Sequence, residues 1–243
     1  MTDGSPSDPR WTPMPPEPPS AGAAADRVHA TLDAVFGTVA EVRDASARLL
    51  REVRGAGRVP ARADLAALRP LLLPRLGPLV CGLGFIAAPR LLADAAWYLE
   101  WWQAGPTGPS QLLRNLNPES SALYDYTAWD WFTGPEGGAE KTVCGPYVDY
   151  LCSDEYVLTL SAPVHVDGEF AGVAAADVFA RTFEHEIVPV LREIPAPAFV
   201  VNAPGRVMAS NTATWPPGAV YRARPGHTAH PCGDLSLSLI TAA

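Results

Sequence analysis

A long proline-free segment near the N-terminus constrains the fold of this chain more than any other feature. Between Ala21 and Arg54, apolar or small residues recur in alternating steps of four and three, at Val28, Leu32, Val35, Val39, Val42, Ser46, Leu49 and Val53. This heptad spacing predicts one long amphipathic helix over residues 21–55. Its apolar seam needs a partner, either the following domain or the same helix of a second copy in a homodimer. Phe36 and Leu50 could widen the seam enough for both.

Composition predicts a globular chain with an acidic surface. Of the 243 residues, 48% are hydrophobic and 18% are charged, which is enough apolar material for a core. Eighteen Lys and Arg residues against 26 Asp and Glu residues leave a net charge of −8, which disfavours nucleic acid and favours cationic ligands. The four cysteines form no Cys-x-x-Cys pair, and no apolar run is long enough to cross a bilayer. We therefore expect a soluble cytoplasmic protein without a membrane partner.

The residues before the helix have a different character. Residues 1–20 hold seven of the 26 prolines, a density that favours extended, polyproline-like structure over a packed core. We expect residues 1–20 to form a disordered tail.

Downstream of the long helix, the sequence predicts an antiparallel sheet. Its strands are expected at Val80–Ala87, Ala96–Gln103, Thr142–Tyr150, Tyr156–His165 and Glu169–Val178. The Asp167-Gly168 pair between the last two is a strong hairpin signal. Helices are expected at Ala61–Leu72 and Phe179–Ile194, a second hairpin at Ala198–Val201 with Gly205–Ala209, and weak strands at Ala219–Ala223 and Leu235–Ile240.

Aromatic and acidic residues recur together between Tyr124 and Asp177, and this is the densest chemical feature of the chain. The set is Tyr124, Tyr126, Trp129, Asp130, Trp131, Phe132, Tyr147, Asp149, Tyr150, Asp154, Glu155 and Asp177. Aromatic faces with carboxylates suit an ammonium group, although the same residues also suit an ordinary core with solvated acids. Asp177 ends a strand of small residues, where it either caps the next helix or faces a ligand pocket.

The order of these motifs resembles the Cache sensor domains of chemoreceptors and sensor kinases over about residues 23–211. The motifs are Gly145-Pro-Tyr-Val-Asp149, Leu158-Thr-Leu-Ser161, Val166-Asp-Gly168, Gly172-Val-Ala-Ala-Ala-Asp-Val178 and a hairpin from Val201 to Asn211. The resemblance implies an α+β, PAS-like fold with a five-stranded antiparallel sheet, a long N-terminal helix and a partial second module at the C-terminus. It places a Cache-like ligand-binding domain at residues 56–194 and the partial module at residues 195–243.

The resemblance also implies a ligand pocket. In members that sense amino acids, the pocket motif is a Tyr, an Arg, a Trp-Tyr pair, a Tyr-x-Asp and a terminal strand Asp. The positions that match here, with Trp129 in place of the Arg, are Tyr124, Trp129, Trp131, Phe132, Tyr147, Asp149 and Asp177. Tryptophan cannot grip a carboxylate as arginine does, so a small cationic amine, a biogenic amine or a diamine, is the expected ligand. Arg114 could supply a carboxylate anchor instead, which keeps an amino acid or a γ-aminobutyrate-like ligand open.

A domain of this type is expected to be non-catalytic, to need no cofactor and to signal through a regulatory protein partner contacted by the long helix. The alternatives are an enzyme and a scaffold or interaction protein. For an enzyme, Glu100 and His185 are candidates, although His185 lacks the second His of a His-Glu-x-x-His motif. His227, His230 and Cys232 form an incomplete set of zinc ligands. The ligand pocket requires Asp149 and Asp177 to converge with the aromatic residues around a cavity.

Overall fold

The computed structural model describes residues 20–117, 119–120, 123–148 and 155–242. The expected tail, residues 1–20, lies outside this part except for Ser20. The expected long helix is confirmed as α1, Ala21–Gly55, and the Ser20 hydroxyl caps it by accepting a 3.2 Å hydrogen bond from the backbone N–H of Ala23.

The apolar seam of α1 packs on the protein's own sheet. Its buried residues are Ala24, Ala25, Val28, Leu32, Val35, Phe36, Val39, Val42, Ser46, Ala47, Leu50 and Val53. Leu49 is only partly buried, whereas Phe36 and Leu50 belong to the main core. The seam is therefore covered within one chain, and a homodimer through this helix stays a prediction.

The second expected helix, Ala61–Leu72, is broken into short pieces. They are α2 at Arg62–Leu65, a 3-10 turn at Ala66–Leu68, α3 at Arg69–Leu72 and a 3-10 turn at Leu73–Arg75. Pro70 and Pro74 each stand in the first turn of a piece, because a proline cannot donate the backbone hydrogen bond that would continue the preceding helix.

The main sheet has six antiparallel strands rather than the expected five. They are β1 Gly82–Ala87, β2 Leu99–Gln103, β3 Ser110–Gln111, β4 Thr142–Val148, β5 Tyr156–Val166 and β6 Glu169–Phe179, in the order β3-β2-β1-β6-β5-β4. The additional strand β3 has two residues, too few to leave a periodic pattern in the sequence. Asp167 and Gly168 both have positive φ, at 56° and 86°, as the expected β5–β6 turn requires.

The two faces of this sheet have different roles. Leu158, Leu160, Ala176 and Val178 share the large core with α1. The alternate residues of β5 and β6 point to the side away from α1, called the far face here: Thr159, Ser161, Val173, Ala175 and Asp177. A 3-10 turn at Tyr126–Ala128 and helix α4 at Asp130–Glu136 cover part of the far face.

A second sheet follows helix α5, Ala180–Arg192, which matches the expected helix. Its strands are β7 Ala198–Asn202, β8 Val207–Ser210, β9 His227–Pro231 and β10 Leu237–Ala242, in the order β8-β7-β10-β9. The strand expected at Ala219–Ala223 was wrong, since only Val220 makes a bridge there, to Arg206. Strand β9 was missed because it is an edge strand with mostly exposed side chains. The domain boundaries remain a prediction.

No helix in the described part of the chain is long and apolar enough to cross a membrane. The cytoplasmic location expected from the sequence stays a prediction.

Candidate ligand-binding site

Asp177 is a carboxylate on the far face of the main sheet, and only 7% of the residue is exposed. It pairs directly with Thr159 on β5 and with Gly82 on β1. The Thr159 hydroxyl donates a 2.7 Å hydrogen bond to Oδ1 of Asp177. The N-cap position of α5 belongs to Phe179, so Asp177 lies on the sheet rather than at the helix end. A carboxylate this deeply buried needs polar or cationic partners.

Tyr147 extends this polar chain to a third strand. Its hydroxyl lies 2.6 Å from the Thr159 hydroxyl. Because an ionised carboxylate only accepts, the single proton of Thr159 is used toward Asp177. Tyr147 is therefore the donor to Thr159. The order of donation is Tyr147 to Thr159 to Asp177, from β4 through β5 to β6.

Trp101 also lies beside Asp177, and the sequence analysis did not select it. It lies on β2 with 4% of its surface exposed. A Cβ atom added at Gly82 would stand 2.8 Å from Cζ2 of Trp101 and 3.2 Å from Oδ2 of Asp177. The absence of a side chain at Gly82 thus lets the indole ring lie across β1, beside the carboxylate. The two glycines of β1, Gly82 and Gly84, are the sequence signal for this approach, since a Cβ at either position would stand within 3 Å of Trp101.

An aromatic cluster continues from Trp101 over the far face. Trp131 and Phe132 from α4 pack there with Tyr126, whose ring centroid lies 5.3 Å from that of Phe132. The hydroxyl of Tyr126 donates to the carbonyl of Ala87 at 2.7 Å, and burial raises the pKa of this phenol. Phe132 is fully buried, so it packs against the other rings.

A cavity of about 450 Å3 opens next to this cluster. Its wall holds three of the residues that the resemblance selected: Trp129, Trp131 and Tyr147. The centroids of the Trp129 and Tyr147 rings are 5.7 Å apart. The volume falls within the range of sites for small molecules.

The rest of the cavity wall includes polar groups from α4 and from both sheets. Asp130 and Cys144 come from the first part of the fold, and Asn202 and Arg206 come from the second sheet. Asn202 donates a 2.6 Å hydrogen bond from Nδ2 to the carbonyl of Gly145, which attaches the β7–β8 hairpin to β4. Burial raises the pKa of the Cys144 thiol to about 12, so this wall group is neutral at physiological pH.

The remaining candidates occupy different positions. Tyr124 packs on the edge of the aromatic cluster, with its ring centroid 6.4 Å from that of Tyr126. Asp149 lies outside the described residues. Arg114 has a buried Nε without a hydrogen-bond partner in the described part of the chain, and its guanidinium donates to the carbonyl of Leu113. The ligand-binding role of all seven selected residues stays a prediction.

The candidate zinc ligands have other partners. The His227 ring stacks on Tyr221 with a centroid distance of 5.5 Å, and Nε2 of His230 lies 3.2 Å from the Thr241 hydroxyl. Cys232 is buried in the core. The described residues contain no group of three His, Cys, Asp or Glu side chains able to hold a metal ion.

Glu100 is a fully buried carboxylate with a structural environment. It accepts hydrogen bonds from Arg69 at 2.8 Å, from the Tyr98 hydroxyl at 2.9 Å and from Nε1 of Trp102 at 2.7 Å. The hydrogen bond to Glu100 raises the pKa of Arg69. Since Glu100 alternates with Trp101 along β2, it points away from the far face. His185 is exposed on α5.

The sequence of the central region matches one known family. Residues 110–184 match the model of the methyl-accepting chemotaxis protein-like, first PDC sensor domain. This segment contains β3 to β6 and the start of α5, and therefore most of the residues described above. No curated protein matches the chain.

Solved structures resemble the chain over nearly its full length. The extracellular domain of the proposed histidine kinase mmHK1S-Z3 has a TM-score of 0.64 at 15% identity, with 91% of this chain and 90% of that chain covered. The ligand-binding domain of the Pseudomonas aeruginosa amino acid chemoreceptor PctC, in complex with GABA, has a TM-score of 0.55 at 16% identity, with 90% and 94% covered. The ligand-binding domain of the Pseudomonas fluorescens chemoreceptor CtaA, in complex with L-valine, has a TM-score of 0.59 at 13% identity, with 90% and 92% covered. At these identities the likeness shows the fold.

Proposed function

We propose that this chain, a sensor domain with the Cache (PDC) fold, binds a small organic amine at Asp177 and reports its presence to a protein partner. The observation that carries the proposal is the polar chain from Tyr147 through Thr159 to Asp177 beside the aromatic cluster. These hydrogen bonds hold the Asp177 carboxylate in place among the small side chains of β6.

A cation is the complementary ligand for such a site. A charge-assisted hydrogen bond between an ammonium and a carboxylate contributes about 1.5–3 kcal/mol. An ammonium also gains roughly 0.5–2 kcal/mol at each aromatic face it touches, and the rings of Trp129 and Tyr147 lie in the adjoining cavity wall. An anion beside Asp177 would meet its carboxylate and the negative faces of the rings, whereas Arg206 lines the adjoining cavity.

The residue at position 129 supports an amine rather than an α-amino acid. The indole of Trp129 offers a single N–H donor and no positive charge, so it cannot replace a guanidinium that binds a carboxylate through two hydrogen bonds. A biogenic amine or a diamine has no carboxylate next to its ammonium and does not need that contact.

A second candidate is a ligand with both an ammonium and a carboxylate, such as γ-aminobutyrate or an amino acid. The structural relatives PctC and CtaA were solved with GABA and L-valine. In this chain, the buried Nε of Arg114, which lacks a partner among the described residues, supports a carboxylate anchor.

The route to the partner would be the long helix α1. Ala176 and Val178, which flank Asp177 on β6, pack in the same core as α1. A ligand bound to Asp177 would shift β6 and, through the shared core, the helix. Such a ligand favours one arrangement of the helix over another only if it contacts the two arrangements differently. The family and the structural relatives are sensor domains, and the proposal contains no catalytic step.

A thermal-shift screen of the purified chain tests the proposal. Amines and diamines are compared with their parent amino acids, with γ-aminobutyrate, purines and carboxylates as further compounds. A ligand at a hundred times its Kd adds about 2.7 kcal/mol to the stability. Stabilisation by amines but not by their parent amino acids is the expected result, stabilisation by amino acids favours the second candidate, and no stabilisation by any compound would contradict both.

A further inference from the structure

A buried hydrogen-bond donor lies near Asp177. The indole Nε1 of Trp101 is buried and has no hydrogen-bond acceptor among the described residues. The next residue on the same strand is different, because Nε1 of Trp102 donates to Glu100 at 2.7 Å. Two adjacent tryptophans therefore point to opposite faces of the sheet, and of the two only Trp102 has an acceptor for its N–H in the described part of the chain.

A buried donor without an acceptor lowers the stability of the fold. An unpaired buried polar group destabilises a fold by about 1–3 kcal/mol, and native proteins satisfy the great majority of them. Nearby buried hydroxyls follow this rule, since Ser161 donates to the carbonyl of Trp131 and Tyr126 donates to the carbonyl of Ala87, both at 2.7 Å. Trp101 Nε1 is one of five buried side-chain polar atoms without a hydrogen-bond partner in the described part of the chain, and its ring stands beside Asp177.

The position of the ring connects this donor to the amine site. The edge of the indole and Oδ2 of Asp177 both lie close to the point where Gly82 lacks a side chain. Cζ2 is two bonds from Nε1 in an indole, so the N–H belongs to the edge of the ring nearest the carboxylate. A molecule held by Asp177 is a near neighbour of this donor.

We infer that Trp101 is a specificity-determining residue, whose indole N–H donates a hydrogen bond to an oxygen of the molecule that Asp177 holds by its ammonium. This inference rests on the proposed function and narrows its ligand class. The ligand carries an ammonium and, a few bonds away, an acceptor oxygen of a hydroxyl, amide or carboxylate group. Plain alkylamines and diamines do not satisfy Trp101, because an ammonium donates and cannot accept.

The test uses two probes of equal size, 3-aminopropan-1-ol and n-butylamine, which differ by a hydroxyl in place of a methyl group. The purified chain, labelled with 15N, is titrated with each while the indole N–H resonances are recorded. The Trp101→Phe variant identifies the Trp101 resonance by its absence, and contacts with Gly82 identify it in the native protein if that variant does not fold. We expect this resonance to move downfield with 3-aminopropan-1-ol only, and this probe to bind about fivefold more tightly than n-butylamine, the scale of one neutral hydrogen bond.

Two variants separate the possible outcomes. Trp101→Phe should remove the preference for 3-aminopropan-1-ol and leave n-butylamine affinity within twofold, whereas Trp102→Phe, on the other face, should keep the preference. Equal affinities in the native protein, or a preference that survives Trp101→Phe, would overturn the role of Trp101 and leave the proposed function intact. Undiminished n-butylamine binding by Asp177→Asn, or no binding of either probe, would overturn the proposed function.

Discussion

The Thr159 hydroxyl donates a 2.7 Å hydrogen bond to Oδ1 of Asp177 from the directly opposite position on the neighbouring strand. Its other contact is the Tyr147 hydroxyl at 2.6 Å, which must donate because the proton of Thr159 is used. The sheet thereby orients the buried carboxylate through Oδ1, while Oδ2 lies near Trp101. This relationship leads to the first two predictions.

Asp177→Asn should weaken the binding of ammonium compounds at least tenfold. The variant keeps the size of the side chain but removes its charge. The binding free energy therefore loses the contribution of a charge-assisted hydrogen bond, about 1.5–3 kcal/mol. Calorimetric titration with an amine identified by the thermal-shift screen measures the change. Asp44→Asn, on the exposed side of α1, is the matched control and should bind normally. An unchanged affinity in Asp177→Asn would remove this residue from the site.

Thr159→Val should affect both the stability and the site. The substitution preserves the shape but removes the hydroxyl that accepts from Tyr147 and donates to Asp177, so we expect a loss of roughly 1–3 kcal/mol in the free energy of unfolding. Tyr147→Phe removes the other end of the chain. In urea denaturation, the double variant should lose clearly less free energy of unfolding than the sum of the two single losses, because both changes break the same series of hydrogen bonds. Additive effects would show that the hydroxyls act independently.

Gly82→Ala should displace the indole of Trp101. The new methyl group would stand 2.8 Å from Cζ2 of Trp101, so we expect a destabilisation of about 1–3 kcal/mol from overpacking, together with weaker amine binding. Gly37→Ala is the matched control, since a Cβ there meets no atom within 4 Å and lies on an exposed part of α1. That change should stabilise by about 0.5–1 kcal/mol. Equal effects of the two substitutions would contradict the close approach.

Glu100→Gln should lower the stability without changing amine binding. Glu100 accepts from three different side chains, and an amide cannot accept from all of them, so a loss of roughly 2 kcal/mol is expected in urea denaturation. Arg69, its charged partner, is partly exposed, which limits the loss. Glu186→Gln on the exposed side of α5 serves as the control. A change in ligand affinity would show that the two faces of the sheet are coupled through β2.

Glu184 predicts a pH dependence of stability. Burial raises the pKa of this carboxyl above its ordinary value of 4.5. Between 4.5 and the raised pKa, the folded state holds the proton more tightly than the unfolded state, so ionisation of Glu184 costs stability as the pH rises through this window. Glu184→Gln should therefore raise the Tm at pH 7, and the gain should shrink to nothing as the pH falls to about 4. A gain of equal size at both pH values would contradict this cause.

Sequence periodicity was sufficient where the determining contacts are local. The spacing of Val28 to Val53 predicted α1 because a helix repeats its own geometry every few residues. Asp167-Gly168 predicted the β5–β6 hairpin because both residues must take positive φ. The position of Asp177 at the end of a strand of small residues indicated a functional or capping role, because a carboxylate there needs a polar partner.

Tertiary structure decided which surfaces meet. The heptad seam alone suited either a sheet or a second helix, and only the assembled core shows that the sheet covers it. Trp101 approaches Asp177 across Gly82, although the two are 76 positions apart in the chain. The pairing of β1 with both β2 and β6 creates that contact, and strand order is a long-range property that no local pattern encodes. The sequence by itself thus determined the long helix, the β5–β6 hairpin and the charged group, while the packing of distant strands decided what surrounds that group.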